Sequence, residues 1–241
     1  MANVIFGRNS VMEALKSGHD IDKILVSGQE GSIKKIVGLA KDRGIPVMNS
    51  ESKTLDKISD NGNHQGVVAA CAAVEYVEVE DILKLAADRG EAPFILICES
   101  IQDPHNLGAI IRTAECAGVH GVIVSKHHAV GLSDAVAKTA AGALEYVPVA
   151  KVSSVAKLID DLKKQGIWTA CADMDGSSIY KTDLKGPLAL VIGGEHEGIT
   201  RLVKEKCDFT VSLPMKGKVT SLNASVAAAI LMYEAAHQRE V

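Results

Sequence analysis

From residue 94 to residue 213 the chain repeats one unit, a short apolar run followed by a longer helical pattern. This alternation limits the fold more than any other feature. The apolar runs at 94–98, 121–124, 146–149, 169–172, 188–192 and 210–213 are the candidate strands. Apolar strands separated by helical stretches of this kind build a parallel sheet covered on both faces. The first 75 residues form a smaller α/β pattern: helix 9–17, strand 23–26, amphipathic helix 32–43 ended by Gly44, short strand 46–48 and apolar strand 66–73. That length is within the range of a small domain. Between the two parts, residues 76–92 are acidic, then weakly helical, then bounded by glycine and proline, and read as a linker. The expected organisation is therefore α/β throughout, with domains at 1–75 and 93–241.

The most informative stretch lies late in the larger part. An apolar strand enters the Gly-rich turn Gly193-Gly194-Glu195-His196-Glu197-Gly198, and a second strand ends at Leu213-Pro214. A loop then reaches Ser221-Leu222-Asn223, which opens a small-residue helix. Two strands thus deliver backbone-rich loops to one edge of a sheet, where open α/β folds bind ligands. Glycines let a ligand approach the main chain closely. A nicotinamide-dependent oxidoreductase would carry its Gly-rich turn after the first strand of the unit, with an acidic residue about 20 positions later. Here that first strand leads into Ser100-Ile101-Gln102-Asp103-Pro104, without glycine.

The segments NLGAIIRTAECAG (106–118), LVIGGEHEGI and SLPMKGKVTSLNAS resemble, in order and spacing, the three motifs of the SPOUT superfamily. Within it they resemble the TrmH/RlmB branch of S-adenosylmethionine-dependent RNA 2′-O-ribose methyltransferases. IFGRNSVMEAL and HQGVVA are similar to that family's auxiliary substrate-binding domain, a small α/β RNA-binding fold like that of kink-turn-binding ribosomal proteins. The resemblance implies a parallel sheet with a deep trefoil knot, a homodimer whose active site forms where two catalytic domains meet, no metal, and a guanosine of 23S ribosomal RNA as substrate. A transfer RNA or an antibiotic-binding ribosomal RNA site is the alternative. A non-catalytic RNA-binding relic would have lost Arg112 or the glycine turn, and both are present.

The same resemblance nominates Asn106, Arg112, Glu195, Ser221 and Asn223 as catalytic residues, and Gly193, Leu213 and Leu222 as backbone positions cradling the adenosine. Structural readings stand beside these. Asn106 and Ser221 suit helix N-caps, and Arg112 suits a solvent-facing position on a helix. For Arg112, the guanidinium pKa above 12 makes it a poor general base. Binding the phosphate beside the target ribose and favouring a developing alkoxide suits it better, with proton acceptance as the second role implied by the family. No role is assigned to His196.

Composition narrows the partners. No apolar run reaches the ~20 residues that span a bilayer, and the first residues lack a signal-peptide pattern, so cytoplasm is the expectation. The net charge of −4 is unusual for a nucleic-acid enzyme and requires local basic patches, for which Arg8, Lys34, Lys35, Lys41 and Arg43 are the candidates. Three Phe and one Trp make an aromatic stacking platform unsuitable. Five dispersed cysteines without C-x-x-C spacing are expected as buried free thiols.

Overall fold

The structure is a computed structural model that describes residues 4–28, 31–71, 74–195 and 198–240. His196 and Glu197 of the glycine turn, and residues 72–73 of the expected strand 66–73, lie outside the described residues. The chain divides into two compact units, residues 1–75 with 131–135, and residues 76–130 with 136–241.

The smaller unit contains β1 (Val4–Phe6), α1 (Arg8–Lys16), β2 (Ile21–Val26), α2 (Ser32–Asp42), β3 (Val47–Asn49), α3 (Ser52–Ile58) and β4 (Val67–Cys71). Its sheet has the order β1-β4-β2-β3, with β4 antiparallel to both neighbours and β3 parallel to β2. Residues alternate across β4: Val67 and Ala69 join the core formed by Val11, Ile24, Ile33 and Ile36, while Val68 turns to the other face with Leu25 and Leu55. This is the period of two that strand geometry imposes. The pattern reading missed β1 and α3, each too short to set a period.

The larger unit contains α4 (Val79–Asp88), β5 (Phe94–Glu99), α5 (Pro104–Cys116), β6 (Gly121–Ser125), α6 (Asp134–Ala140, apart from its first two residues), β7 (Val149–Val152) and α7 (Val155–Lys164). It continues through β8 (Trp168–Ser178), β9 (Leu188–Gly193), α8 (Arg201–Lys206), β10 (Phe209–Ser212) and α9 (Ala224–Glu240). The six strands lie in the order β10-β8-β9-β5-β6-β7, and every pairing is parallel. Central β5 is buried along its whole length. Its alternate residues Ile95 and Ile97 pack with Ile159, Leu162 and Val191.

Two expectations need correction. Residues 76–92 are not a free linker. Val77 bridges to Ala150, and α4 opens with a reciprocal cap between Glu78 and Asp81. Ile82 on this helix is fully buried in the core of the larger unit. The strand expected at 146–149 begins at Val149 instead. A short 3-10 turn occupies Ala143–Glu145, and Pro148, which has no N–H to give a ladder, precedes the strand. Strand β8 lies between β9 and β10 in the sheet, so the two loops leave from next-but-one strands.

The C-terminal helix α9 is fastened at its far end. The Arg239 guanidinium donates to the carbonyls of Ala92 (3.0 Å), Pro93 (2.9 Å) and Gly186, and lies 4.7 Å from the Phe94 ring centre. The helix start is thereby held over the C-terminal ends of the central strands.

Candidate active site

Strand β9 pairs with β5 up to Gly193 opposite Glu99, and then turns sharply. A Cβ on Gly193 would lie 2.2 Å from the carbonyl carbon of Gly198, and one on Gly194 would lie 2.2 Å from the Ser100 carbonyl oxygen. No side chain fits at either position. The Gly198 N–H donates to the Gly194 carbonyl at 3.0 Å and closes the turn. Beyond it, the Thr200 N–H (3.0 Å) and hydroxyl (2.9 Å) both donate to the buried carboxylate of Glu99. The turn is thus tied at both ends to β5.

Three segments distant in sequence converge on Glu195. Its Oε1 accepts from Nδ2 of Asn106 and from Nδ2 of Asn223, each at 2.7 Å. Asn223 Nδ2 also donates to Asn106 Oδ1 at 3.0 Å. Asn106 is buried in the first turn of α5. It is not the helix N-cap: Asp103 fills that position and accepts from the His105 N–H at 2.8 Å. At the last helix the cap is Asn223 and not Ser221. Asn223 Oδ1 accepts from the Ser225 N–H at 2.9 Å and the Ser225 hydroxyl at 2.6 Å. The caps that residue preference alone suggests are therefore displaced at both helices, from Asn106 to Asp103 and from Ser221 to Asn223. Arg112 stands apart: it is exposed on α5, lines neither cavity described below, and forms no hydrogen bond or ion pair with the described residues.

A cavity of about 550 Å³ opens beside this junction. Gly193, Leu213 and Leu222 line it, together with Glu195, Ser221 and Asn223. Sequence reasoning missed one wall, Ala172, Asp173 and Met174 of β8. They leave the ladder because β10 changes register, pairing Thr210 with Cys171 but Val211 with Ser177. Burial alone would raise the Asp173 carboxyl, but the hydrogen bond from Lys204 at 2.9 Å and backbone N–H groups bring it below its ordinary value. Ile192, Ile199 and Val211 make much of the lining apolar, and among the described residues Asp173 and Glu195 are its only ionisable groups. Such a wall suits a flat aromatic base and a cationic centre, and it is unsuited to a ligand carrying phosphates. A second cavity of about 330 Å³ shares Gly194, Glu195 and Ala224 with the first and adds Ser100, Ile101, Gln102, Asp103 and Asn106.

Residues 93–233 match the model of the SpoU rRNA Methylase family, and residues 4–77 match the RNA 2′-O ribose methyltransferase substrate binding family. The chain belongs to the SpoU methylase family. It is an RNA methyltransferase of a family that uses S-adenosylmethionine. Among its relatives, the TrmH family protein YacO of Bacillus subtilis (strain 168) is 46% identical over 98% of this chain and 95% of its own length. A TrmH family protein of Staphylococcus haemolyticus (strain JCSC1435) is 44% identical, over 98% and 96%. Among solved structures, the SpoU methyltransferase AviRb from Streptomyces viridochromogenes, in complex with AdoMet, superposes with a TM-score of 0.62 at 25% identity, covering 98% of this chain and 89% of that one. The TrmH/SpoU tRNA modifying enzyme of A. aeolicus gives 0.57 at 25%, covering 67% and 83%.

Away from the site, the proposed basic patch of the smaller unit divides in two. Arg43 donates to the carbonyls of Leu15 (2.7 Å) and His19 (3.0 Å), and Arg8 Nε donates to the Gln65 carbonyl at 2.9 Å, so both brace the backbone. Lys34, Lys35 and Lys41 are exposed, and Lys34 and Lys41 flank a pocket with Val37, Val47 and Asn49. The cysteines are not all isolated: Cys171 and Cys207 meet, and the hydrogen bond from Cys207 holds the Cys171 thiol down to about 6 while Cys207 is pushed up. Cys116 is exposed, unlike the buried thiol expected. Among the described residues no acidic, histidine or cysteine cluster could hold a metal ion, and no helix is long and apolar enough to cross a membrane.

Proposed function

We propose that this protein transfers a methyl group from S-adenosylmethionine to the ribose 2′-hydroxyl of a guanosine in RNA, and that the RNA is 23S ribosomal RNA. The observation that carries the reading is the Asn106–Glu195–Asn223 junction standing between two cavities, the larger of which has Asp173, paired with Lys204, and Glu195 as the ionisable groups among its described lining residues. When bound, the cofactor supplies a methyl group on a positively charged sulfur: the O–C bond forms as the S–C bond breaks, its electron pair stays on sulfur, and the hydroxyl proton must leave.

The residues divide that work. The main chain at Gly193, Leu213 and Leu222 holds the adenosine, reading its edge through amide and carbonyl groups. The negative lining favours the sulfonium centre. Glu195 Oε1 is held by two amides, while Oε2 accepts no hydrogen bond from the described residues, which leaves it to receive the hydroxyl proton. Ser221 and Asn223 order the loop before α9 around donor and acceptor. Arg112 binds the phosphate beside the target ribose, since a guanidinium stays charged and cannot take the proton.

Arg112 acts in the partner protomer's site. It lies outside both cavities of its own chain, which supports a homodimer formed by the larger unit. Helix α9 supports the same assembly, because its apolar residues are spread around the helix and Val226 and Tyr233 remain exposed. A helix apolar all round is ordinarily a buried one. We infer as well the deep trefoil knot of the superfamily in the larger unit, and RNA positioning by residues 1–75. The ribosomal reading is supported by the family match at residues 93–233, the SpoU rRNA Methylase family, whereas the tRNA modifying enzyme covers 67% of this chain. Mapping of 2′-O-methyl marks in total RNA with and without the gene tests the substrate. Loss of a mark from transfer RNA alone would replace the ribosomal reading, and no change in any mark would remove the proposal.

A further inference from the structure

The smaller cavity has no assigned ligand. We infer that it is the acceptor site, that it holds one nucleoside turned out of its strand, and that Gln102 reads the base. The inference rests on the methyl-transfer reading above and goes beyond it in naming what the second cavity binds and which side chain selects it.

Three observations support this assignment. The first is position. The two cavities share Gly194, Glu195 and Ala224, so a group in one is separated from a group in the other only by the junction around Glu195. Transfer of a methyl group needs donor and acceptor on opposite sides of one point, close and aligned. The second is lining chemistry. Ser100, Gln102 and Asn106 offer hydroxyl and amide groups, and Asp103 and Glu195 offer carboxylates, with no lysine, arginine or histidine among the described lining residues. Such a wall pairs with sugar hydroxyls and base edges and repels phosphate. The phosphates must then stay outside, where a cation such as Arg112 can meet them. The third is size. At about 330 Å³ the cavity is near the lower limit of ligand pockets, ~300 Å³, enough for one nucleoside and too small for stacked neighbours. A nucleotide that reaches it has left its stack, as enzymes working on single nucleotides in a strand require.

The floor is held rigidly. Ser100 adopts φ +58, a left-handed conformation that side-chain-bearing residues rarely adopt, and its N–H donates to Ser125 Oγ at 3.1 Å. Strain of this kind collects at functional sites because surrounding packing must enforce it. Against this floor the Gln102 side chain is exposed and makes no hydrogen bond with the described residues. Its amide presents a donor and an acceptor side by side, which is the pairing geometry a base edge offers.

The test uses the full-length protein, S-adenosylhomocysteine for calorimetry, and total RNA from cells lacking the gene as methyl acceptor. Gln102→Trp should fill the cavity: affinity for S-adenosylhomocysteine stays within about twofold, while kcat/KM for the RNA falls about 100-fold or more. Gln102→Ala should leave kcat nearly intact, raise KM for RNA about tenfold, and spread methylation to neighbouring nucleotides, because a lost hydrogen bond relaxes selection. Wild-type kinetics in Gln102→Trp would overturn the acceptor assignment while leaving methyl transfer standing. Loss of S-adenosylhomocysteine binding in that variant would place the cavity within the cofactor site and overturn it too. An unchanged KM and unchanged methylation pattern in Gln102→Ala would remove the base-reading role. If the wild-type protein itself bound no S-adenosylhomocysteine, the underlying methyltransferase reading would fail first.

Discussion

Adding one methyl group at Gly194 should stop the enzyme without unfolding it. In Gly194→Ala the new Cβ would sit 2.2 Å from the Ser100 carbonyl oxygen, against an ordinary contact of 3.4 Å or more. The two backbones must separate by about 1.2 Å, and neither yields easily. Ser100 is tied to Ser125 Oγ, and Gly194 closes its turn on Gly198. Glu195 follows Gly194 directly, so its carboxylate moves with the displaced turn. A shift of that size carries 2.7 Å hydrogen bonds to Asn106 and Asn223 beyond bonding distance. Overpacking should cost about 1–3 kcal/mol of stability, and misplacement near 1 Å about 100-fold in turnover. Single-turnover methyl transfer and thermal unfolding measure the two effects. Gly38→Ala in the middle of α2 is the control, since its Cβ meets nothing within 4 Å. There the change should stabilise by about 0.5–1 kcal/mol through helix propensity. Wild-type turnover in Gly194→Ala would refute the claim that the turn is rigid and positions Glu195.

Arg112→Ala should abolish methyl transfer and leave S-adenosylhomocysteine affinity nearly unchanged, because the side chain lies outside the cofactor cavity; near-normal turnover would make it a surface residue. Ile82→Ala should cost about 2–5 kcal/mol in urea unfolding, since Ile82 is fully buried, and a fragment starting at residue 93 should be less stable than one starting at 76. Burial holds the His120 imidazole below its usual 6.5. Its unfolded state therefore binds the proton first, so stability should decline as pH falls below about 6.5 and His120→Gln should flatten that decline. Charge reversal at Lys34, Lys35 and Lys41 should weaken RNA binding and flatten its dependence on salt, as fewer counterions are released; an unchanged salt slope would move the RNA contact elsewhere.

What could be read in advance followed from burial. Strands β5, β6 and β9 are buried on both faces, so their apolar runs mark them without help from tertiary context. The glycine turn was legible for the same kind of reason, since close backbone contact admits no side chain. Strand β8 was legible only as far as Ala172, because its later residues are polar and are held by pairing with β10 across a register shift. Asp173 was missed with them, although it lines the larger cavity. Helix α4 was hidden because its acidic opening, which caps the helix, reads locally as linker. Sheet order was not accessible at all: nothing local in 188–213 says that β8 lies between β9 and β10.

Charge explains how an acidic protein can act on a polyanion. The described walls of both cavities carry carboxylates and no cation. A carboxylate beside the reacting centre repels phosphate, which keeps the RNA backbone out and admits only neutral sugar and base. On the proposed reading the same carboxylates favour a positive sulfur in the larger cavity, and that preference disappears once the methyl group has left and the sulfur is neutral. Product release is thereby favoured by the field that attracted the substrate. On the proposed reading the cations that hold the RNA stand elsewhere, and Arg112 and the lysines of α2 are exposed outside both cavities. Cofactor binding should consequently respond little to salt and RNA binding strongly. A chain with net charge −4 is compatible with that division, because its cations need to meet phosphate only at the margins of the site.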